Sequence, residues 1–163
     1  MKENRPLSFG GKARQNLAAI LNHALEEEVV LSTTMRRFLG RVTGPNFYSL
    51  YRLFGDQCRQ IDRWLTEITD RAKSLGAVAR AGAAEFTTAA APGAGGQLPA
   101  RNMVGELLAL HEGIAQRLRA DLAACTTAQA TADFLARLVE FHETTAWMLR
   151  MVLDGPEVPR PNA

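Results

Sequence analysis

Apolar residues recur along this chain at steps of three and four, and nowhere with the period of two that a strand requires. Between Lys12 and Arg41 they fall at Leu17, Leu21, Ala24, Leu31, Met35 and Phe38, the stripe that a 3.6-residue period lays on one helix face. One position on that stripe, Glu28, is a carboxylate. The run Val42-Thr43-Gly44-Pro45 breaks the pattern. A second stripe, Phe47, Leu50, Phe54, Ile61, Leu65, Ile68, Ala72 and Leu75, opens after Asn46 as N-cap and stops at Gly76. A third helix is predicted from Arg101 to Ala124, with Met103, Leu107, Leu110, Ile114, Leu118 and Leu122 on one face. The fourth runs from Thr127 to Leu153 through Phe134, Leu138, Phe141, Met148 and Val152, and Asp154-Gly155-Pro156 ends it.

The spacing of these elements predicts their connectivity. The segment from Ala77 to Ala100 is rich in Ala and Gly and carries Pro92 and Pro99. It is too long for a structureless loop in a compact domain, and the stretch from Arg80 to Ala90 predicts a short extra helix within it. A crossover between two parallel helices needs about this length. Two short connections and one long crossover make the ferritin-like four-helix bundle. The expected organisation is a mobile N-terminal tail over 1–11, one all-α ferritin-like domain over 12–154, and a C-terminal tail over 155–163.

Composition narrows the class further. A chain of 163 residues fits one domain. A content of 47% hydrophobic and 22% charged residues excludes a disordered or collagen-like chain. The formal net charge of +2 sets up no strong field for nucleic acid over the molecule as a whole. Cys58 and Cys125 stand far apart without a CxxC pattern, so a zinc ribbon or redox motif has no support. The start is polar with no apolar h-region, and no run of eighteen apolar residues occurs, so a cytoplasmic protein without a membrane span is expected. Gly93 to Gly96 lacks the Lys-Ser/Thr of a phosphate loop, and no serine sits in G-x-S-x-G, which leaves a nucleotide-binding or hydrolase reading without a motif.

Several segments resemble the Dps family, the twelve-subunit mini-ferritins. They are Leu21-Asn22 with Leu25 and Val30-Leu31; the turn Val42-Thr43-Gly44-Pro45-Asn46-Phe47; Thr69-Asp70-Arg71-Ala72-Lys73-Ser74-Leu75-Gly76; and Thr131-Ala132-Asp133 with His142-Glu143-Thr144-Thr145-Ala146-Trp147-Met148-Leu149-Arg150. They appear in family order over about Leu17 to Leu153. The resemblance implies a dodecameric homo-oligomer, iron storage or sequestration, and DNA protection under stress. It also implies a ferrous-iron oxidation site shared between two subunits, built from two His of one and an Asp and a Glu of the other. Iron needs such oxygen and imidazole donors with open positions.

This chain departs from that set. The two His positions are Leu39 and Tyr51, and the Asp and Glu positions are Thr66 and Asp70. Leu39 has no lone pair, Thr66 is a poor neutral ligand, and a phenol such as Tyr51 titrates near 10 when unperturbed. Tyr51 and Asp70 are what remains of the metal set, and the resemblance with these losses implies that iron is not held at the usual site. An internal di-metal site within one subunit is an alternative, with Glu28 and Glu143 as its carboxylates and His111, Glu112, Glu140 and His142 on the same two late helices. The plainer reading pairs Glu28 with an Arg or His. Glu26-Glu27-Glu28 reads as a solvated acidic patch or, in a hollow cage, as a mineral-nucleating lining. Trp64, Phe54 and Phe47 read as packing residues. Lys2, Arg5, Lys12 and Arg14 against Glu3 give residues 1–14 a formal +3, and twelve such tails would engage the DNA backbone multivalently. Arg36, Arg37 and Arg41 form a second basic cluster. Three functions remain open: a storage protein with weak or relocated oxidation chemistry, a non-enzymatic shell that binds DNA or another partner, and an enzyme with an internal di-metal site.

Overall fold

The computed structural model describes residues 10–77, 98–125 and 128–155. Within them lie four helices: α1 (Gly11–Leu39), α2 (Phe47–Ser74), α3 (Ala100–Ala124) and α4 (Gln129–Asp154). The bounds fall within two residues of those read from the breakers. The short helix expected between Arg80 and Ala90, the first nine residues of the N-terminal tail, and most of the C-terminal tail lie outside the described residues.

The breakers act by backbone geometry. Gly44 adopts φ +97° in the α1–α2 turn, and Gly76 adopts φ +75° just past the end of α2, a region that residues with a Cβ avoid. Asn46 occupies the N-cap position of α2, but its side chain makes no capping hydrogen bond. Its carbonyl accepts the first helical bond, from Leu50 N–H, so Asn46 opens the helix through its backbone without the side-chain cap that the sequence led us to expect.

Side-chain pairs fix the directions of the helices. Arg37 meets Glu106, and Glu27 meets Arg117. Moving toward the N-terminus of α1 therefore moves toward the C-terminus of α3, so the two are antiparallel. Arg71 donates to the Ala130 carbonyl and Glu67 pairs with Arg137, which makes α2 and α4 antiparallel. Glu112 pairs with Arg150 and Arg119 with Glu143, so α3 and α4 are antiparallel, and the short connection from Gly40 to Asn46 makes α1 and α2 an antiparallel hairpin. It follows that α2 and α3 run parallel, as a long crossover demands. α1 packs on α2 and on α3, and α3 packs on α4.

All four helices contribute to one core. Leu21, Leu31, Met35 and Phe38 from α1 meet Phe54, Ile61 and Ile68 from α2, Met103, Leu107 and Leu118 from α3, and Phe134, Leu138 and Leu149 from α4. Burying a side chain of this size contributes about 1.5–3 kcal/mol. The α1 stripe is buried as read. On α3 and α4 Met103, Leu107, Ile114, Leu118, Phe134 and Leu138 are buried as read, but at three turns the buried position lies one residue on: His111 rather than Leu110 is inside, and His142 and Leu149 rather than Phe141 and Met148. Phe47 also departs from its expected packing role and stands exposed at the start of α2, whereas Trp64 and Phe54 are packed.

Candidate functional site

The gap in the α1 stripe is where the polar chemistry of the core begins. Glu28 is fully buried, at 0% exposure, and so are His111 on α3 and His142 on α4. Glu28 Oε1 lies 2.6 Å from His142 Nε2. His142 Nδ1 lies 2.9 Å from His111 Nδ1. The three side chains thus form a row, with His142 in the middle and both of its ring nitrogens engaged. Glu28 Oε2 and His111 Nε2, the two free ends, have no hydrogen-bond partner. Phe141 meets the His111 ring edge-on at 5.9 Å. Burial, and after it the neighbouring His142, push His111 from its ordinary 6.5 down to about 3.

A row differs from a metal cage. Donors that share an ion converge on one point, whereas His111 reaches His142 on the side away from Glu28. Glu143, the second carboxylate of the internal alternative, is turned outward and pairs with Arg119. Adjacent residues point to different helix faces, so it is His142 and not Glu143 that meets Glu28. Among the described residues no three His, Cys, Asp or Glu side chains gather as a metal site. Glu112 pairs with Arg150, and Glu140 is exposed.

The acidic run Glu26-Glu27-Glu28 is likewise divided. Only Glu26 is exposed; Glu27 pairs with Arg117 and Glu28 is inside. Burial raises Glu27 above the ordinary carboxylate range against the pull of Arg117 and His23. The basic cluster is also engaged. Arg36 donates twice to Asp62, at 2.5 and 2.7 Å, and Arg37 donates to Glu106 at 3.0 Å; Arg41 remains exposed.

The four positions that the resemblance assigns to a site between subunits sit as follows. Leu39, the last residue of α1, packs half-buried against the core. Tyr51 is exposed in the first turns of α2 and stacks on Phe47, with centroids 5.4 Å apart. The Thr66 hydroxyl bonds the Asp62 carbonyl of its own helix at 3.1 Å. Asp70 is exposed and lies 3.9 Å from Lys73. Tyr51 and Asp70 share one helix, about 28 Å apart along its axis, so one chain cannot bring them to one ion. Of the basic tail residues, Lys12 and Arg14 stand in the first turn of α1, while Lys2 and Arg5 lie outside the described residues.

Sequence reasoning missed the His111–His142 contact and two further buried polar groups. The Gln57 amide and the Trp64 indole N–H, both on α2, have no partner. They line a groove of about 620 Å³ between α2 and α4, with Phe141 and Thr145 opposite. The signal for the histidines was present: each sits four residues after a core leucine, Leu107 and Leu138, on the buried stripe.

Comparison with known proteins places this arrangement. The family model of the ferritin-like domain matches residues 18–157. An uncharacterised low temperature-induced protein of Nostoc sp. is 30% identical over 91% of this chain and 86% of its own length. A DNA protection during starvation protein from Brevibacillus brevis is 28% identical over 86% of this chain and 97% of its own length. The solved structure of DpsC from Streptomyces coelicolor superposes with a TM-score of 0.84 at 21% identity, over 94% of this chain and 93% of that one. The chain, with its two antiparallel hairpins, its long crossover and its family motifs in order, belongs to the ferritin-like family and carries the Dps fold.

Proposed function

We propose that this chain is the subunit of a Dps-like cage that sequesters iron and protects DNA under stress, and that it oxidises ferrous iron weakly or not at all at the seam between subunits. The relatives and the fold support the general role. The observation that carries the finer reading is the state of the four seam positions. Leu39 is packed against the core, the Thr66 hydroxyl is turned to its own backbone, and Asp70 stands beside Lys73. Tyr51 is the one donor with an exposed, uncompensated oxygen, and a phenol alone does not hold two irons.

Exposed apolar side chains support assembly. Phe47, Tyr48 and Tyr51 stand out at the start of α2, and Trp147, Met151 and Val152 near the end of α4. Grouped exposed side chains of this size mark contact surfaces. A homo-oligomer, in the family's form a dodecamer, would cover them. Lys12 and Arg14 sit at the positive end of the α1 dipole, where tail cations from many copies add up against a phosphate backbone. The protein would act inside the cell, where DNA is, and among the described residues no helix is long and apolar enough to cross a membrane.

Aerobic uptake of ferrous iron, followed by absorbance alongside particle mass in solution, tests the reading. We expect a closed particle that accelerates iron oxidation little over buffer yet retains ferric iron. A particle with brisk turnover would overturn the loss of the seam site, and a monomer that retains no iron would overturn the cage.

A further inference from the structure

The row Glu28–His142–His111 joins α1 to α4, two helices that pack more closely on other neighbours than on each other. α1 pairs closely with α2 and α3, and α4 with α3. Glu28 and His142 reach through the centre from α1 to α4. They tie the α1/α2 hairpin to the α3/α4 hairpin, and His111 extends the tie onto α3. We propose that Glu28, His142 and His111 form an acid-sensitive latch, which holds the two hairpins together through the core near neutral pH and releases them in acid.

Proton counting gives the mechanism. Each of the two contacts holds one proton between its heavy atoms. With only those two protons, the row carries one negative charge. A third proton has two sites, Glu28 Oε2 or His111 Nε2, the ends without partners, and it makes the row neutral. A fourth proton leaves a net positive charge in a core from which water is excluded. Such a charge is far costlier there than in the unfolded chain. The unfolded chain accepts protons on both imidazoles as pH falls through about 6.5. Unfolding then takes up protons, so stability present above that pH is lost progressively below it.

Among the described residues no other charge acts on His111. The titratable groups facing His111 are His142 on α4 and, behind it, Glu28 on α1. On α2, the charges acting on Cys58 are those of Asp62, which pairs with Arg36 of α1, and of Arg59, which pairs with Asp56, and both pairs lie at the exposed surface. The nearest neighbour from the flanking turn of α4 is Phe141, an aromatic ring with no proton to exchange.

The test is urea unfolding of the full chain at fixed concentration, from pH 7.5 down to 4.5 in steps, for the parent and for His111→Gln. Glutamine can still bond His142 but does not titrate. We expect the parent's folding constant to fall with acid more steeply than the variant's, by up to about tenfold per pH unit below 6.5. Parallel curves would overturn the latch. Should His111→Gln not fold, the parent alone decides. The chain has three histidines, so their imidazole ¹⁵N resonances can be assigned. His111 neutral in the folded protein at pH 5 supports the latch, and an ordinary titration near 6.5 refutes it.

Discussion

Glu28 shows how much depends on a single side chain in a dry core. Its carboxylate is the acceptor that His142 Nε2 faces, and nothing else on the buried face replaces it. Glu28→Ala leaves a buried imidazole nitrogen without a partner, and we expect a loss of about 3–5 kcal/mol, the range for breaking a buried pair. Glu28→Gln keeps an oxygen in place and should cost clearly less. Urea unfolding at neutral pH measures both. Replacing all three members by Met and Leu should restore most of the loss, because a row removed whole leaves no group stranded. At this scale the sequence was half legible. A carboxylate on an apolar stripe announced a buried partner, and of the two partner types expected, Arg and His, the structure selects His. Which histidine, and the second one behind it, depended on helix rotation that no single residue encodes.

That rotation belongs to the elements. The α1 stripe was legible because its core residues are plainly apolar and its one exception is charged. On α3 and α4 the stripe was legible at Met103, Leu107, Ile114, Leu118, Phe134 and Leu138, but it also contains His111 and His142, and beside these lie the more apolar Leu110 and Phe141, which draw a periodicity reading one position round at those turns. Helix ends were legible for a different reason, since glycine in the left-handed region and proline stop a helix whatever it packs against. Gly76, at φ +75°, should cost about 1 kcal/mol or more when changed to Ala. Asn46→Ala should cost less than the roughly 1 kcal/mol typical of an N-cap, because the Asn46 side chain makes no capping bond. Thermal melts of the two variants side by side check that order, and a larger loss at Asn46 would contradict it.

At the scale of the whole molecule, the proposed seam site is the least legible feature, because half of its donors would belong to another copy. The residues of this chain still allow a constructive test. Leu39 ends α1 and Tyr51 stands in the first turns of α2, while Thr66 and Asp70 stand one helical turn apart further along α2, both exposed. Residues four apart share a helix face, so Thr66→Asp with Asp70→Glu presents two carboxylates side by side. Leu39→His and Tyr51→His supply imidazoles on the facing copy. If the fold is intact and only the donors are missing, the four substitutions together should raise the rate of aerobic ferrous oxidation on the order of tenfold or more over the parent, the scale on which groups around a metal act. Particle mass should not change, since Tyr51 alone of the four belongs to an exposed apolar cluster. The pairs Leu39→His with Tyr51→His, or Thr66→Asp with Asp70→Glu, should each fall short of the full set, because each leaves the other side of the seam with a single donor, Asp70 or Tyr51. Equal rates for the parent and the fourfold variant, with particle mass unchanged, would show that the loss of iron chemistry lies in how the copies meet and not in these four side chains.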